Sequence, residues 1–155
     1  MIDLDVVDRK ILDLLQEDGR MTNAELADKI NLSPSACLRR VRRLEDEGVI
    51  AGYVMLLDQR AIGRPDDIFI EITLVSQSQE CQEAFERAVR ECRDIMECYL
   101  MAGEADYLLR VAAAGTADYE RIHKSHLSRL PGVSRIRSNF ALRTVCKTTA
   151  FTCRI

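Results

Sequence analysis

Residues 22–50 read TNAELADKINLSPSACLRRVRRLEDEGVI, and two helices joined by a tight turn are written into that stretch. Thr22 can cap the amide three residues on while Glu25 reaches back, a reciprocal capping box. The apolar residues Ala24, Leu26, Ala27 and Ile30 then fall on one face of a helix of about two turns. Asn31-Leu32 makes the connection, Ser33 is a second N-cap and Pro34 suits the first helical position, so a longer helix is expected to run to Glu47 with Gly48 as its stop. A short helix, a three-residue turn and a longer helix are the outline of a helix-turn-helix. Upstream, Leu4, Val7, Ile11, Leu14 and Leu15 recur at helical spacing after the capping candidate Asp3 and stop at Gly19, which predicts a preceding first helix.

At 100° per residue the long helix places Cys37, Val41 and Leu44 on one side. Ser35, Arg39, Arg42 and Arg43 lie on the other, with Ala36 and Arg40 flanking. From Lys29 to Leu44 there is no acid, although residues 1–60 carry 9 basic and 12 acidic side chains. A charge run is often just a solvated helix face, but such faces mix signs for i,i+4 pairing, and this one does not. The reading favoured is contact with double-stranded DNA. Ser35, Ala36 and Arg39 would meet base edges, and Arg40, Arg42 and Arg43 would anchor phosphates together with Thr22 and Asn23 at the start of the second helix. Ser33, at the head of the third, completes the candidate set.

Beyond Val49 the pattern changes to a strand over 50–57, followed by a stretch over 58–67 that Gly63 and Arg64-Pro65 keep irregular. Strands are expected at 68–75, 95–101, 107–113 and 133–143, and helices at 79–93 and 116–130. Two β-α-β units in tandem give a ferredoxin-like βαββαβ domain, an antiparallel sheet with both helices on one face. Ile68-Phe69-Ile70, Tyr99-Leu100-Met101 and Leu108-Leu109 are apolar on both faces of their strands, so the open side of the sheet calls for a second copy. The fold class is therefore α+β. Residues 1–50 form a helix-turn-helix (winged-helix-like) domain, 51–67 a linker that opens on a strand, and 68–155 the second domain.

Composition bounds the alternatives. With 22 Lys plus Arg against 25 Asp plus Glu and a net charge of -3, a uniformly basic nucleic-acid coat is excluded. No apolar run approaches the roughly 20 residues needed to span a bilayer, and the N-terminus has no secretory pattern. The six cysteines contain no Cys-x-x-Cys pair and read as small apolar side chains in a reducing cytosol. His123 and His126 sit three apart without a third ligand placed beside them, so no metal or cofactor is expected. No Gly-x-Ser-x-Gly, phosphate loop or clustered carboxylate pair marks an enzyme.

The helix-turn-helix from Leu26-Ala27 through Leu32-Ser33-Pro34-Ser35 to Gly48-Val49-Ile50, with the β-α-β-β-α-β half after it, resembles the Lrp/AsnC (feast/famine) transcriptional regulators over the whole chain. Further marks are DRKILDLL over residues 8–15, Asp18-Gly19-Arg20, Tyr53, Gly103-x-x-Asp106 and Leu130-Pro131-Gly132-Val133. The resemblance implies a DNA-binding N-terminal domain over 1–50, a β-strand hinge over 51–67 and an ACT-like (RAM) effector-binding and oligomerisation domain over 68–155. It also implies a homodimer that assembles to a tetramer or octamer, a cytoplasmic, nucleoid-associated location, and an amino-acid effector held between dimers. Carried over onto this chain, the effector lining is Leu100, Met101, Ala102, Gly103, Asp106, Tyr107 and Leu108, with Arg137 and Ser138 from the last strand. Backbone N–H groups at Gly103 would hold a carboxylate and Asp106 an ammonium. Gly and Asp also populate tight turns for backbone reasons alone, and Glu104 leaves a cationic ligand open. A ligand-independent architectural DNA binder is the alternative.

Overall fold

The computed structural model describes residues 2–153 and contains two compact units. The first comprises the N-terminal residues through Leu56 and, from the other end of the chain, the stretch from Cys146 onward; the second runs Leu57–Val145.

Three helices build the first unit: α1 (Val6–Glu17), α2 (Asn23–Lys29) and α3 (Pro34–Asp46). The cap of α1 is Asp5, not Asp3: the Asp5 carboxylate accepts from Asp8 N–H at 2.8 Å, and Asp8 Oδ2 accepts from Asp5 N–H at 3.2 Å. A capping box needs an acid or amide three residues on, and Asp8 supplies it only for Asp5. Thr22 and Ser33 cap α2 and α3 as the sequence predicts. The turn between them places Asn31 at φ 55°, a left-handed conformation that Asn tolerates better than most residues. Gly48, at φ 72°, ends α3. Ile11, Leu12, Leu26, Ala27, Ile30, Cys37 and Leu44 form the core, each helix contributing its apolar stripe.

The strand expected over 50–57 is not formed. That segment has no regular secondary structure among the described residues, and Val54, Met55 and Leu56 are 83%, 81% and 68% exposed. A strand exists only through its pairing, and the single chain offers none here. Tyr53 is anchored by its hydroxyl, which donates to Glu45 at 3.0 Å.

The second unit is a four-stranded antiparallel sheet, β1 (Asp66–Leu74), β2 (Ile95–Leu100), β3 (Tyr107–Ala113) and β4 (Val133–Phe140), in the order β2-β3-β1-β4. Helices α4 (Gln79–Glu91) and α5 (Thr116–Ser125) cover one face. The long final helix expected to reach Leu130 stops at Ser125, and Leu127–Arg129 continues as one 3-10 turn. Ile68, Ile70, Ile72 and Leu74 alternate inward with Tyr107, Leu109, Val111 and Ala113 and meet Phe85, Val89, Tyr119 and Ile122. This period of two fixes the register, because a one-residue slip would turn every one of these side chains to the other face.

The opposite face of the sheet has no layer over it in the single chain. Phe69 and Tyr99 are exposed there, as the sequence suggests, but its middle is charged: Arg110 bonds Asp67 at 2.8 Å and Glu97 at 2.6 Å.

Candidate nucleic-acid interface and effector region

Each arginine of α3 can be assigned by its partner. Asp8 of α1 is fully buried, and Arg40 Nη1 reaches it at 2.8 Å while also bonding Asp5 at 2.7 Å; Arg43 Nη2 takes the other Asp8 oxygen. A buried carboxylate is tolerable only when paired and hydrogen-bonded, so these two guanidiniums are committed to holding α3 against α1. The sequence reading of Arg40 and Arg43 as phosphate anchors takes no account of this pairing: the wheel showed that α3 had no acid of its own and could not show that the acid would come from another helix. A signal was present, since Asp8 lies three and four residues before Ile11 and Leu12, inside the apolar stripe of α1.

Arg39 and Arg42 are exposed, and neither has an ion pair among the described residues. They share the outward side of α3 with Ser35, also exposed, and the half-buried Ala36. The remaining candidates have local duties. Thr22 exchanges bonds with Glu25, and the Ser33 hydroxyl accepts from Ala36 N–H at 3.3 Å and meets that of Ser35 at 3.2 Å. Asn23 donates its amide to the Pro34 carbonyl at 2.8 Å, tying the first residue of α2 to the first of α3. A side chain read from sequence as a DNA contact thereby links the two helices.

In the second unit the residues read as an effector lining separate. Met101, Ala102 and Gly103 form an exposed turn after β2, with Leu100 at its mouth. Gly103 does not occupy the left-handed region, and a Cβ built on it would meet nothing within 4 Å. The turn itself therefore does not demand glycine there. Asp106 is buried, accepting from Leu74 N–H at 2.7 Å and from Gln77 Nε2 at 2.9 Å. With one hydrogen bond accepted at each oxygen, Asp106 clips the β2–β3 turn to the end of β1.

Tyr107 lies in the core, 1% exposed, its ring 4.5 Å from that of Phe85 and its hydroxyl donating to Glu86 at 3.0 Å. Burial, with the Glu86 carboxylate beside it, pushes the phenol up to about 12. Leu108 points to the uncovered face. Arg137 and Ser138, adjacent in β4, necessarily point to opposite faces: Arg137 approaches Glu71 at 3.8 Å, and Ser138 shares a hydrogen bond with Tyr119. Within one chain these residues do not line a single pocket. Glu104, beside the turn, is answered by Arg135 at 3.2 Å.

The chain thus divides into a helix-turn-helix with an exposed basic face and an α+β unit with an exposed turn. Comparison with known proteins gives the same division. The model for the Lrp/AsnC ligand binding domain matches residues 67–151, and that for a winged helix-turn-helix DNA-binding domain matches residues 4–51. The leucine-responsive regulatory protein of Haemophilus influenzae is 41% identical over 145 residues, covering 94% of this chain and 87% of that protein. Its namesake in Escherichia coli K12 is 41% identical over 143 residues, covering 92% and 87%. Among solved structures, a regulator from Neisseria meningitidis in complex with L-Met superposes with a TM-score of 0.91 at 34% identity, covering 96% of both chains. The chain belongs to the Lrp/AsnC family of transcriptional regulators.

Proposed function

We propose that the chain is a sequence-specific DNA-binding regulator whose assembly state and DNA binding respond to an amino acid. The observation that carries the DNA half is the division among the α3 arginines: Arg40 and Arg43 brace the helix from behind, while Arg39 and Arg42 have no ion pair among the described residues on its outer side. Arg39 and Ser35 meet base edges beside Ala36, and Arg42 meets phosphate. Thr22, Asn23 and Ser33 position the motif, and the short α2 turns its N–H groups toward the backbone of the duplex.

The effector is a neutral amino acid bound at the turn over residues 100–103, completed by a neighbouring copy of the chain. Arg135 already neutralises Glu104, which removes the reason to favour a cationic ligand. The names of the relatives speak of leucine, and the neisserial structure holds L-Met; both are neutral and apolar. Leu108 and Arg137 lie on the uncovered sheet face and would meet the ligand only across an interface. Two features support self-association: the exposed apolar run at 53–57 and the uncovered face with Phe69 and Tyr99. A homodimer places two α3 helices for a pseudo-palindromic site, and dimers build a tetramer or octamer. The protein would act in the cytoplasm, on the nucleoid.

A thermal-shift screen of the purified protein against the twenty amino acids tests the effector half. A ligand that binds only the folded state adds about 2.7 kcal/mol at a hundred times its dissociation constant. A neutral apolar amino acid should raise the midpoint and change the oligomer size seen by light scattering. A flat screen, with size and DNA footprint indifferent to every amino acid, would replace this reading with a ligand-independent architectural protein.

A further inference from the structure

The last described residues return to the DNA-binding unit, and one side chain receives them. Gln16 of α1 accepts from Phe151 N–H through Oε1 at 2.7 Å and donates to Phe151 C=O through Nε2 at 3.1 Å. A carboxamide has one acceptor and two donors in a plane, so Gln16 meets both backbone groups of one residue as a neighbouring strand would. Two residues on, Cys153 packs against the core of the helical unit, its Sγ 3.6 Å from Gln16 Nε2. Burial and the neighbouring Asp13 raise the Cys153 thiol above its ordinary value. Before this anchor the chain is irregular and exposed: Leu142 is 100% and Val145 82% accessible. A terminal stretch without secondary structure frays unless something holds it, and Gln16 supplies the hold.

The chain consequently passes between its two units twice, once at Leu56–Leu57 and again at Val145–Cys146. With the tail docked, the DNA-binding unit is held by two strands of chain; with the tail free, it hangs from the exposed segment around residues 51–57 alone. We infer that the face of α1 bearing Gln16 is a docking surface for this chain's own residues 146–153, and that the docked tail is a second tether limiting the reorientation of the DNA-binding unit. The docking stands on the contacts just given. Its effect on DNA rests on the DNA-binding reading above, in which two α3 helices must keep a set spacing.

Hydrogen exchange on the full-length protein and three variants tests the docking. Gln16→Ala removes both partners of the Phe151 backbone. Phe151→Pro removes the donor N–H from a residue whose side chain is already exposed, and Gln16→Glu keeps only the acceptor. Two hydrogen bonds of ordinary net strength correspond to about tenfold protection or somewhat more. The tail should show it in the unaltered protein, lose it in the first two variants and keep part of it in Gln16→Glu. Exchange at the free-chain rate in the unaltered protein would overturn the inference.

Gel-shift titrations on paired half-sites one helical turn apart, and on the same sites displaced by half a turn, test the tether. The released variants should discriminate between the spacings about tenfold less than the unaltered protein, with affinity for a single half-site unchanged. Released variants that keep full discrimination would refute the tether. Failure of the unaltered protein to bind any duplex would instead remove the DNA-binding reading, and exchange would still decide whether the tail docks.

Discussion

Arg39, Arg40, Arg42 and Arg43 stand within five positions of one helix and do different work because of what faces them. Arg43→Ala removes one of two guanidinium partners from the buried Asp8, Arg40 remaining, and should destabilise the helical unit by about 1 to 3 kcal/mol, seen as an earlier unfolding transition. Arg42→Ala should leave that transition in place, weaken binding to all DNA sequences alike and reduce the salt slope by about one. Arg39→Ala should cost about 1 to 3 kcal/mol on the specific site and little on random DNA. Equal losses on both duplexes for Arg39 and Arg42 would abolish the distinction between them. Asp5 gives a pH test at the same scale. The Asp8 N–H, and after it the Arg40 guanidinium, hold its carboxyl down at about 2 against an ordinary 3.8. A depressed value favours the folded state above the unfolded pKa, so the contribution is complete above about pH 4 and disappears as pH falls through 2. Asn is also a good N-cap, so Asp5→Asn isolates the charge. The stability difference between the variant and the unaltered protein, followed by helical circular dichroism, should vanish between pH 4 and 2; a constant difference would show that Asp5 gains nothing from its charge.

At the scale of elements, the turn into β4 is held by Gly132, at φ 72°, whose carbonyl accepts from Val75 N–H at 2.8 Å. A Cβ there would lie 2.5 Å from Cys81 Sγ at the head of α4. Gly132→Ala thus incurs both left-handed strain and a clash, together about 1 to 3 kcal/mol, or several degrees in the midpoint of the α+β unit. Adding Cys81→Ala should recover the part due to the clash and leave the part due to φ. No recovery would assign the whole effect to the backbone. The sequence marks this turn with Leu130-Pro131-Gly132, and most element boundaries were equally legible, since periodicity and caps are local signals: α2, α3 and β3 lie where the pattern puts them. The last helix was overextended because its apolar residues continue at nearly helical spacing through the 3-10 turn, whose period differs only slightly.

For the whole molecule, the segment 50–57 is the informative failure. Its composition predicts a strand, and the single chain gives it no partner, leaving Tyr53, Val54, Met55, Leu56 and Leu57 between 51% and 83% exposed. Unpaired apolar strands invite pairing with another chain, so Val54→Ser with Leu56→Ser should shift the protein toward monomer in sedimentation at micromolar concentration. Both units should keep their unfolding transitions, because neither residue belongs to a core. An unchanged oligomer would place the interface on the open sheet face instead.

Apart from the strand that does not form at 50–57, the order of helices and strands, the inward faces and the capped helix-turn-helix were settled by the sequence itself, because hydrophobic period, caps and turn residues act over a few positions. The family resemblance was readable for the same reason, being carried by short contiguous motifs. Which arginines are ion-paired, that Asp106 clips two strands together, and which group Arg137 and Ser138 each meet depended on partners far along the chain. Asp8 and Arg40 are 32 residues apart, Asp106 and Leu74 also 32, and Gln16 and Phe151 135. A charged or polar side chain takes its role from whichever group folding brings within about 3 Å of it, and only the tertiary structure decides which group that is.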